Sequence, residues 1–408
     1  MKEINGGVCA PKGFQAGGIR CGLKESSQKK DLALLYSQNI CNAAAVFTTN
    51  KVKAASIIVS QESLADGKLR AIIANSGNAN ACTGQAGLLA AQKMAQLAAD
   101  ALLIDKNEVA VASTGVIGVP LPILKIENNI GILKNSLRGD EQGHKAALEA
   151  IMTTDTHKKE IAVEIKIEGI PVRIGAMTKG SGMIAPNMAT MLCFITTDAA
   201  IAKDTLNTAL SFAVKKSFNQ LVVDGDMSTN DTAIIMANGN AGNTLINTVE
   251  DGNYHVFYNA LEYVCIKLAK EMARDGEGAS KLVTVTVKGS CCKKIAGALA
   301  KSVVSSSLVK TACFGADANW GRVLCAMGYA GTDFLQDKVD VSFASRAGTV
   351  LVCKNGEGIS FSEEAAKEIL SQEEIEILID LNNGEKQAAA WGCDLTYDYV
   401  KINGDYRS

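Results

Sequence analysis

Three segments far apart in the chain keep strict period two. In 160–167, EIAVEIKI, the residues Ile161, Val163, Ile165 and Ile167 share one face. In 281–287, KLVTVTV, it is Val283, Val285 and Val287, and in 375–381, IEILIDL, it is Ile375, Ile377, Ile379 and Leu381. A strand sends successive side chains to opposite faces, so each of these segments has one apolar face to bury against another layer. Further strands are predicted at 44–49, 56–60, 71–75, 109–113 and 397–402, with another from residue 190 on. Between them lie helical stretches: 83–100 with Thr83 as N-cap, 204–218, 256–274 ending at Asp275-Gly276, 294–306 and 362–371. The order is not a strict βαβα alternation and many strands are half-buried. The expected fold is therefore α/β of the α+β kind, with layered mixed or antiparallel sheets covered by helices on one face. AIIANSGNANA (71–81) and AIIMANGNAG (233–242) look alike; they read as two strands, each followed by an Asn/Gly turn.

At 408 residues the chain suggests two lobes or one large layered domain. Its 41 basic and 43 acidic residues balance, which gives no electrostatic case for nucleic acid or an anionic membrane. Twelve cysteines form no C-x-x-C pair and there are three histidines, so no zinc-finger spacing exists and no metal or cofactor is expected. Scattered cysteines fit reduced thiols in a cytosolic core. The start, MKEINGGVCAPKG, has no apolar signal region, and no apolar run reaches 18 residues. The expectation is a soluble cytoplasmic protein.

Two motifs fail on context. Gly180 to Ala185 matches G-x-G-x-x-A, but Pro186 and then a strand follow where a dinucleotide site needs a helix. Asp224-Gly-Asp-Met-Ser-Thr-Asn230-Asp231 begins like a calcium loop but lacks Gly at position six and Glu at position twelve, so it reads as a polar turn near a site. Two glycine turns, Ser113-Thr114-Gly115 to Gly118 and FGADANWGR (314–322), could aim N–H groups at an oxyanion, though such turns are usually only turns. The stretch from Met177 to Thr190, MTKGSGMIAPNMAT, is more informative. Gly180 and Gly182 permit unusual backbone, and Pro186 restricts Ala185. Strain at the Ala189–Thr190 peptide would favour attack by the Thr190 hydroxyl on the preceding carbonyl. Hydrolysis of the ester would leave Thr190 as a new N-terminus, whose amine can serve as base for its own hydroxyl. The residues alone favour the simpler reading, a β-branched residue starting a strand.

Nine stretches recur in order: GGVCAPKGFQAGGI, IANSGNANACTG, ASTGVIG, IMTTDT, AMTKGSGMIAPNMATML, DGDMSTNDT, ARDGEGASKL, FGADANWGR and INGDYRS. Together they resemble the ornithine acetyltransferase family, the bifunctional ArgJ type of arginine biosynthesis. The resemblance spans essentially the whole chain. It implies a self-processed N-terminal nucleophile enzyme of the ArgJ and DmpA-like type. Cleavage between Ala189 and Thr190 would give an alpha segment, 1–189, and a beta segment, 190–408, which stay assembled as an α2β2 heterotetramer. The implied reaction moves acetyl from N-acetylornithine to glutamate, with acetyl-CoA as a second donor in some members. By the same resemblance Thr190 matches the acetylated nucleophile and Thr114 and Gly115 the oxyanion pair. Thr153, its neighbour Thr154, Lys179, Glu277, Asn403 and Ser408 match substrate contacts. Relatives often end in Thr where this chain has Ser408, and serine keeps the hydroxyl. The rival within the same chemistry is an N-terminal nucleophile aminopeptidase or amidohydrolase.

Overall fold

The computed structural model describes residues 1–24, 28–184 and 191–405. Its strands form two mixed sheets. The first holds β1 (Lys2–Ile4), β2 (Phe14–Ile19), β3 (Leu32–Phe47), β4 (Lys68–Asn78), β5 (Val109–Val116), β6 (Lys159–Ile167), β7 (Ile170–Lys179) and β8 (Leu192–Thr197). Beyond β9 (Leu221–Val222), β10 (Thr232–Ala237) completes it. The order is β1-β6-β7-β8-β10-β3-β4-β5, with β2 also paired to β3. Only the β8–β10 and β4–β5 pairs are parallel. The second sheet takes β9 with β11 (Leu282–Ser290), β12 (Asp340–Ser345), β13 (Gly348–Lys354), β14 (Glu357–Gly358), β15 (Glu374–Asp380) and β16 (Lys386–Cys393), in the order β14-β13-β12-β15-β11-β16-β9.

The first sheet is covered on both faces, where the alternating pattern predicts one. Cys193, Ile195, Ala233 and Ile235 join a core under helices Lys203–Lys216 and Gly252–Arg274. Their neighbours Leu192, Phe194, Ile234 and Met236 pack instead with helix Glu141–Ile151. β8 and β10 are consequently buried at every position, as expected for central strands with two covered faces. The period-two strands of the second sheet behave as predicted: Val283, Val285, Ile375, Ile377 and Ile379 face helices Lys293–Ser305, Trp320–Gly328 and Glu363–Leu370. Helix Gly252–Arg274, capped by Asp251 accepting from Asn253 N at 2.8 Å, shares one core with residues of β6 and β16 and so joins the sheets.

Two predicted strands are helices. Residues 56–60 lie in helix Ala55–Ser63, where Ser56, Ile57, Val59 and Ser60 are all buried. A short apolar run buried nearly all round carries no period to separate helix from strand. Residues 397–402 lie in helix Tyr397–Asp405, which buries no residue; its Tyr/Tyr alternation had no core to face. Thr83 stands at the predicted N-cap but does not cap with its side chain: its hydroxyl donates to Asn80 Oδ1 at 2.8 Å. The other predicted helices are present, with some ends shifted by one to four residues. The strand expected from residue 190 is β8, beginning at Leu192; Ala189, Thr190 and Ser408 lie outside the described residues. Among the described residues no helix is long and apolar enough to cross a membrane.

Candidate functional site

The end of β5 carries the Ser113-Thr114-Gly115 turn. Gly115 has φ 134° and pairs with Gly77 of β4. A Cβ on Gly115 would lie 2.4 Å from the Gly77 carbonyl carbon, so only glycine fits. This fixes Thr114 at the sheet's edge. The end of β7 brings Lys179 to the same place: its Nζ donates to Thr114 Oγ1 at 3.3 Å. Because the ammonium fills a lone pair of that oxygen, the Thr114 proton is left to point elsewhere.

Lys179 is 6% exposed. Burial lowers its affinity for a proton, and the Asp155 carboxylate works against that. Asp155 is the centre of a buried network. It accepts from Gly180 N at 2.7 Å, Thr153 N at 2.9 Å and Lys159 Nζ at 2.7 Å. Lys159 also pairs with Asp275, which takes the Thr156 N–H at 3.1 Å and the Thr156 hydroxyl. Burial alone would raise the Asp155 carboxyl; Lys179, Lys159 and the Gly180 amide hold it at about 2. The loop 152–156 is thus locked to the end of β7 and to the end of helix Gly252–Arg274.

That helix end supplies the other side. Thr154 Oγ1 and Ser181 Oγ are 2.8 Å apart, and Glu277 N donates to Ser181 O at 2.8 Å. Gly182 leaves room for Glu277 here: a Cβ on it would lie 2.2 Å from Glu277 Oε2, so the carboxylate would have to shift. Asn403 Nδ2, on the exposed terminal helix, donates to the same Oε2 at 3.0 Å.

The polar turn 224–231 holds both ends of the stretch that contains Thr190. Asp224 accepts from Met183 N at 2.6 Å and Ile184 N at 2.8 Å. Asp231 Oδ1 accepts from Met191 N at 3.0 Å. Asn230 donates to Ala79 O and Ser113 O, each at 2.7 Å, and so ties this turn to the Thr114 turn. Asp224 and Asp231 of the stretch that begins like a calcium loop serve backbone N–H groups. Met183 has φ 55°, a left-handed backbone that costs a non-glycine residue free energy. Strain is present at the described end of the arm before Thr190.

Thr114, Gly115, Thr153, Thr154, Lys179, Glu277 and Asn403 are therefore brought into one connected region. FGADANWGR is not: Asn319 there caps helix Trp320–Gly328, and Ala318 lies in the core of the second sheet. Asp155 and Lys159 were not singled out from the sequence, Asp275 only as a helix end, and Asn230 only within a polar turn near a site. The available signal was the Asp155/Lys159 spacing of four beside IMTTDT. Among the described residues no cluster of three metal-ligating side chains is present.

The model of the ArgJ family matches residues 15–408. The chain is 52% identical to the arginine biosynthesis bifunctional protein ArgJ of Caldanaerobacter subterraneus over 410 residues, covering all of both chains. It is 51% identical to arginine biosynthesis bifunctional protein ArgJ 1 of Clostridium acetobutylicum, over 97% of this chain and 96% of that one. The crystal structure of arginine biosynthesis bifunctional protein ArgJ from Bacillus halodurans is 46% identical, with a TM-score of 0.50, covering 52% of this chain and 98% of that chain. With half of all positions shared over its full length, this chain belongs to the ArgJ family.

Proposed function

We propose that this protein transfers acetyl from N-acetylornithine to glutamate in arginine biosynthesis, through an acetyl ester on Thr190. Thr190 becomes an N-terminus by self-cleavage after Ala189. The observation that carries this reading is the convergence of the Thr114–Gly115 turn, Lys179 and Glu277 on the loops that hold Met183, Ile184 and Met191, the described residues flanking Thr190.

Each step has a group suited to it. The Thr190 amine takes the hydroxyl proton, and Oγ attacks the acetyl carbonyl carbon of N-acetylornithine. The Thr114 hydroxyl and Gly115 N–H donate to the resulting oxyanion. The C–N bond breaks, the proton passes to the departing amine, and ornithine leaves. The glutamate amine then attacks the ester, Thr190 Oγ departs and regains a proton, and N-acetylglutamate is released. Lys179 suits the substrate α-carboxylate, and Glu277 suits the δ-ammonium of the ornithine half.

Two features support cleavage without separation. β7 belongs to segment 1–189 and β8 to segment 190–408, and they pair from Ile174↔Thr197 to Lys179↔Leu192. β10 in turn pairs with β3, so the first sheet interleaves both segments. The matched Bacillus halodurans chain is about half as long as this one, the size of one segment. The α2β2 assembly goes with this reading and is measured by light scattering.

The test has two arms. Denaturing electrophoresis of wild type should give two fragments, and Thr190→Ala one. Incubation with N-acetylornithine should release ornithine much faster with glutamate present, and leave one acetyl group on the Thr190 fragment by mass spectrometry. Ornithine release that ignores glutamate would instead make the protein a hydrolase. Acetyl-CoA is tried as donor in the same assay.

A further inference from the structure

Two ammonium groups border the Thr114–Gly115 turn, and the mechanism above uses one. The other is Lys24. Its Nζ donates to Met152 O at 2.7 Å, directly before Thr153, and to Lys30 O at 2.9 Å. Its stem packs on Gly77, the residue paired with Gly115: a Cβ on Gly77 would lie 2.9 Å from Lys24 Cγ. Lys24 therefore bridges the oxyanion turn and the loop that carries Thr153, Thr154 and Asp155.

Its backbone is held as firmly. The fully buried Asp31 carboxylate accepts from the N–H groups of Cys21, Gly22, Leu23 and Lys24, at 2.6 to 3.2 Å. Asp31 is thus occupied with backbone donors. Among the described residues neither Lys24 nor Lys179 forms an ion pair; their partners are neutral carbonyl and hydroxyl oxygens. A largely buried ammonium in that state has given up water without gaining an opposite charge in direct contact. Burial lowers the Lys24 pKa to about 8; Asp31 and Asp155 act to raise it, and Lys29 and Lys179 to lower it further. A carboxylate ligand would relieve both lysines.

The two substrates differ in that respect. N-acetylornithine brings one carboxylate and an ammonium, whereas glutamate brings two carboxylates. Lys179 suits the α-carboxylate that both carry. We propose that Lys24 binds the side-chain carboxylate of the acceptor and so selects a dicarboxylate amino acid for the second half-reaction. The assignment rests on the acetyltransferase reading.

The test is calorimetric binding of glutamate, glutamine and ornithine to the processed protein, which needs no turnover. Wild type should bind glutamate about 10- to 100-fold more tightly than glutamine, the range for a hydrogen bond to a charged group. Lys24→Met should abolish that preference while glutamine and ornithine binding show the fold intact, and Lys24→Arg should restore part of it. A preference that survives in Lys24→Met, or is absent from wild type that binds both amino acids, overturns the role of Lys24 and leaves the acetyltransferase reading standing. Wild type that binds neither glutamate nor ornithine overturns both. Should Lys24→Met fail to fold, Lys24→Gln keeps most of the stem and answers the same question.

Discussion

Replacing Asp155 by Asn removes one charge from a buried network and turns one of its two acceptor oxygens into a donor. The carboxyl is 5% exposed and held at about 2, against an ordinary 3.8. At 1.36 kcal/mol per unit, the depression corresponds to about 2.5 kcal/mol of stability at neutral pH. Breaking a buried pair also strands its partner, here Lys159, and such losses run to about 3–5 kcal/mol. An unfolding entropy of about 2.1 cal/mol/K per residue gives about 0.86 kcal/mol/K for this chain. Asp155→Asn should therefore melt about 3–6 °C below wild type at pH 7 by scanning calorimetry. The sign of the pH dependence follows from the depressed pKa. The contribution is full above the unfolded-state pKa and is lost as pH falls through the folded value of about 2. At pH 3 about 1.3 kcal/mol of it should remain. The melting gap between wild type and variant should thus narrow by about 1.1 kcal/mol, or about 1.3 °C, from pH 6 to pH 3. A gap below about 1 °C at pH 7, or one that stays constant or widens on acidification, would refute the assigned ionisation of Asp155.

Three further expectations concern the site, and one a position away from it. Gly115→Ala drives a Cβ to 2.4 Å from the Gly77 carbonyl carbon at φ 134° and should abolish transfer and lower the melting temperature. Gly131→Ala, on an open helix surface with nothing within 4 Å, should instead stabilise by up to about 1 kcal/mol, measured by the same scans. Thr114→Val keeps the shape but removes the hydroxyl. Acetyl transfer should slow by about 10²–10³-fold in steady-state assays, chiefly in kcat. Deleting residues 403–408 removes the Asn403 contact to Glu277 Oε2; hydrolysis of N-acetylornithine should rise relative to transfer, and an unchanged ratio counts against a shielding tail.

What could be read from the sequence depended on the distance over which the deciding contact acts. The period-two segments of β6, β11 and β15 declared themselves because their pattern is local and one face is apolar. Residues 56–60 did not. Their helical state is settled by burial against β5, where Ser60 Oγ donates to Val111 O and accepts from Val111 N, contacts to a strand 51 positions away. Residues 397–402 misled for the opposite reason, since an exposed helix imposes no apolar stripe. The site follows the same rule at larger scale. The glycines at 115, 180 and 182 were legible as permissive backbone, yet what each permits is set by Gly77, Asp155 and Glu277. The resemblance supplied the positions of Thr114, Lys179 and Glu277 but not what joins them. Lys159 meets Asp155 four residues away and Asp275 at 116, a link no local pattern contains. The joining residues are buried charges, and a buried charge is held by its partners rather than by its own surroundings in sequence. Asp155 is therefore the stricter test of this site than Thr114. Thr114 could stand at a strand end for many reasons, whereas an ionised carboxylate in that core has to be accounted for by Lys159 and Lys179.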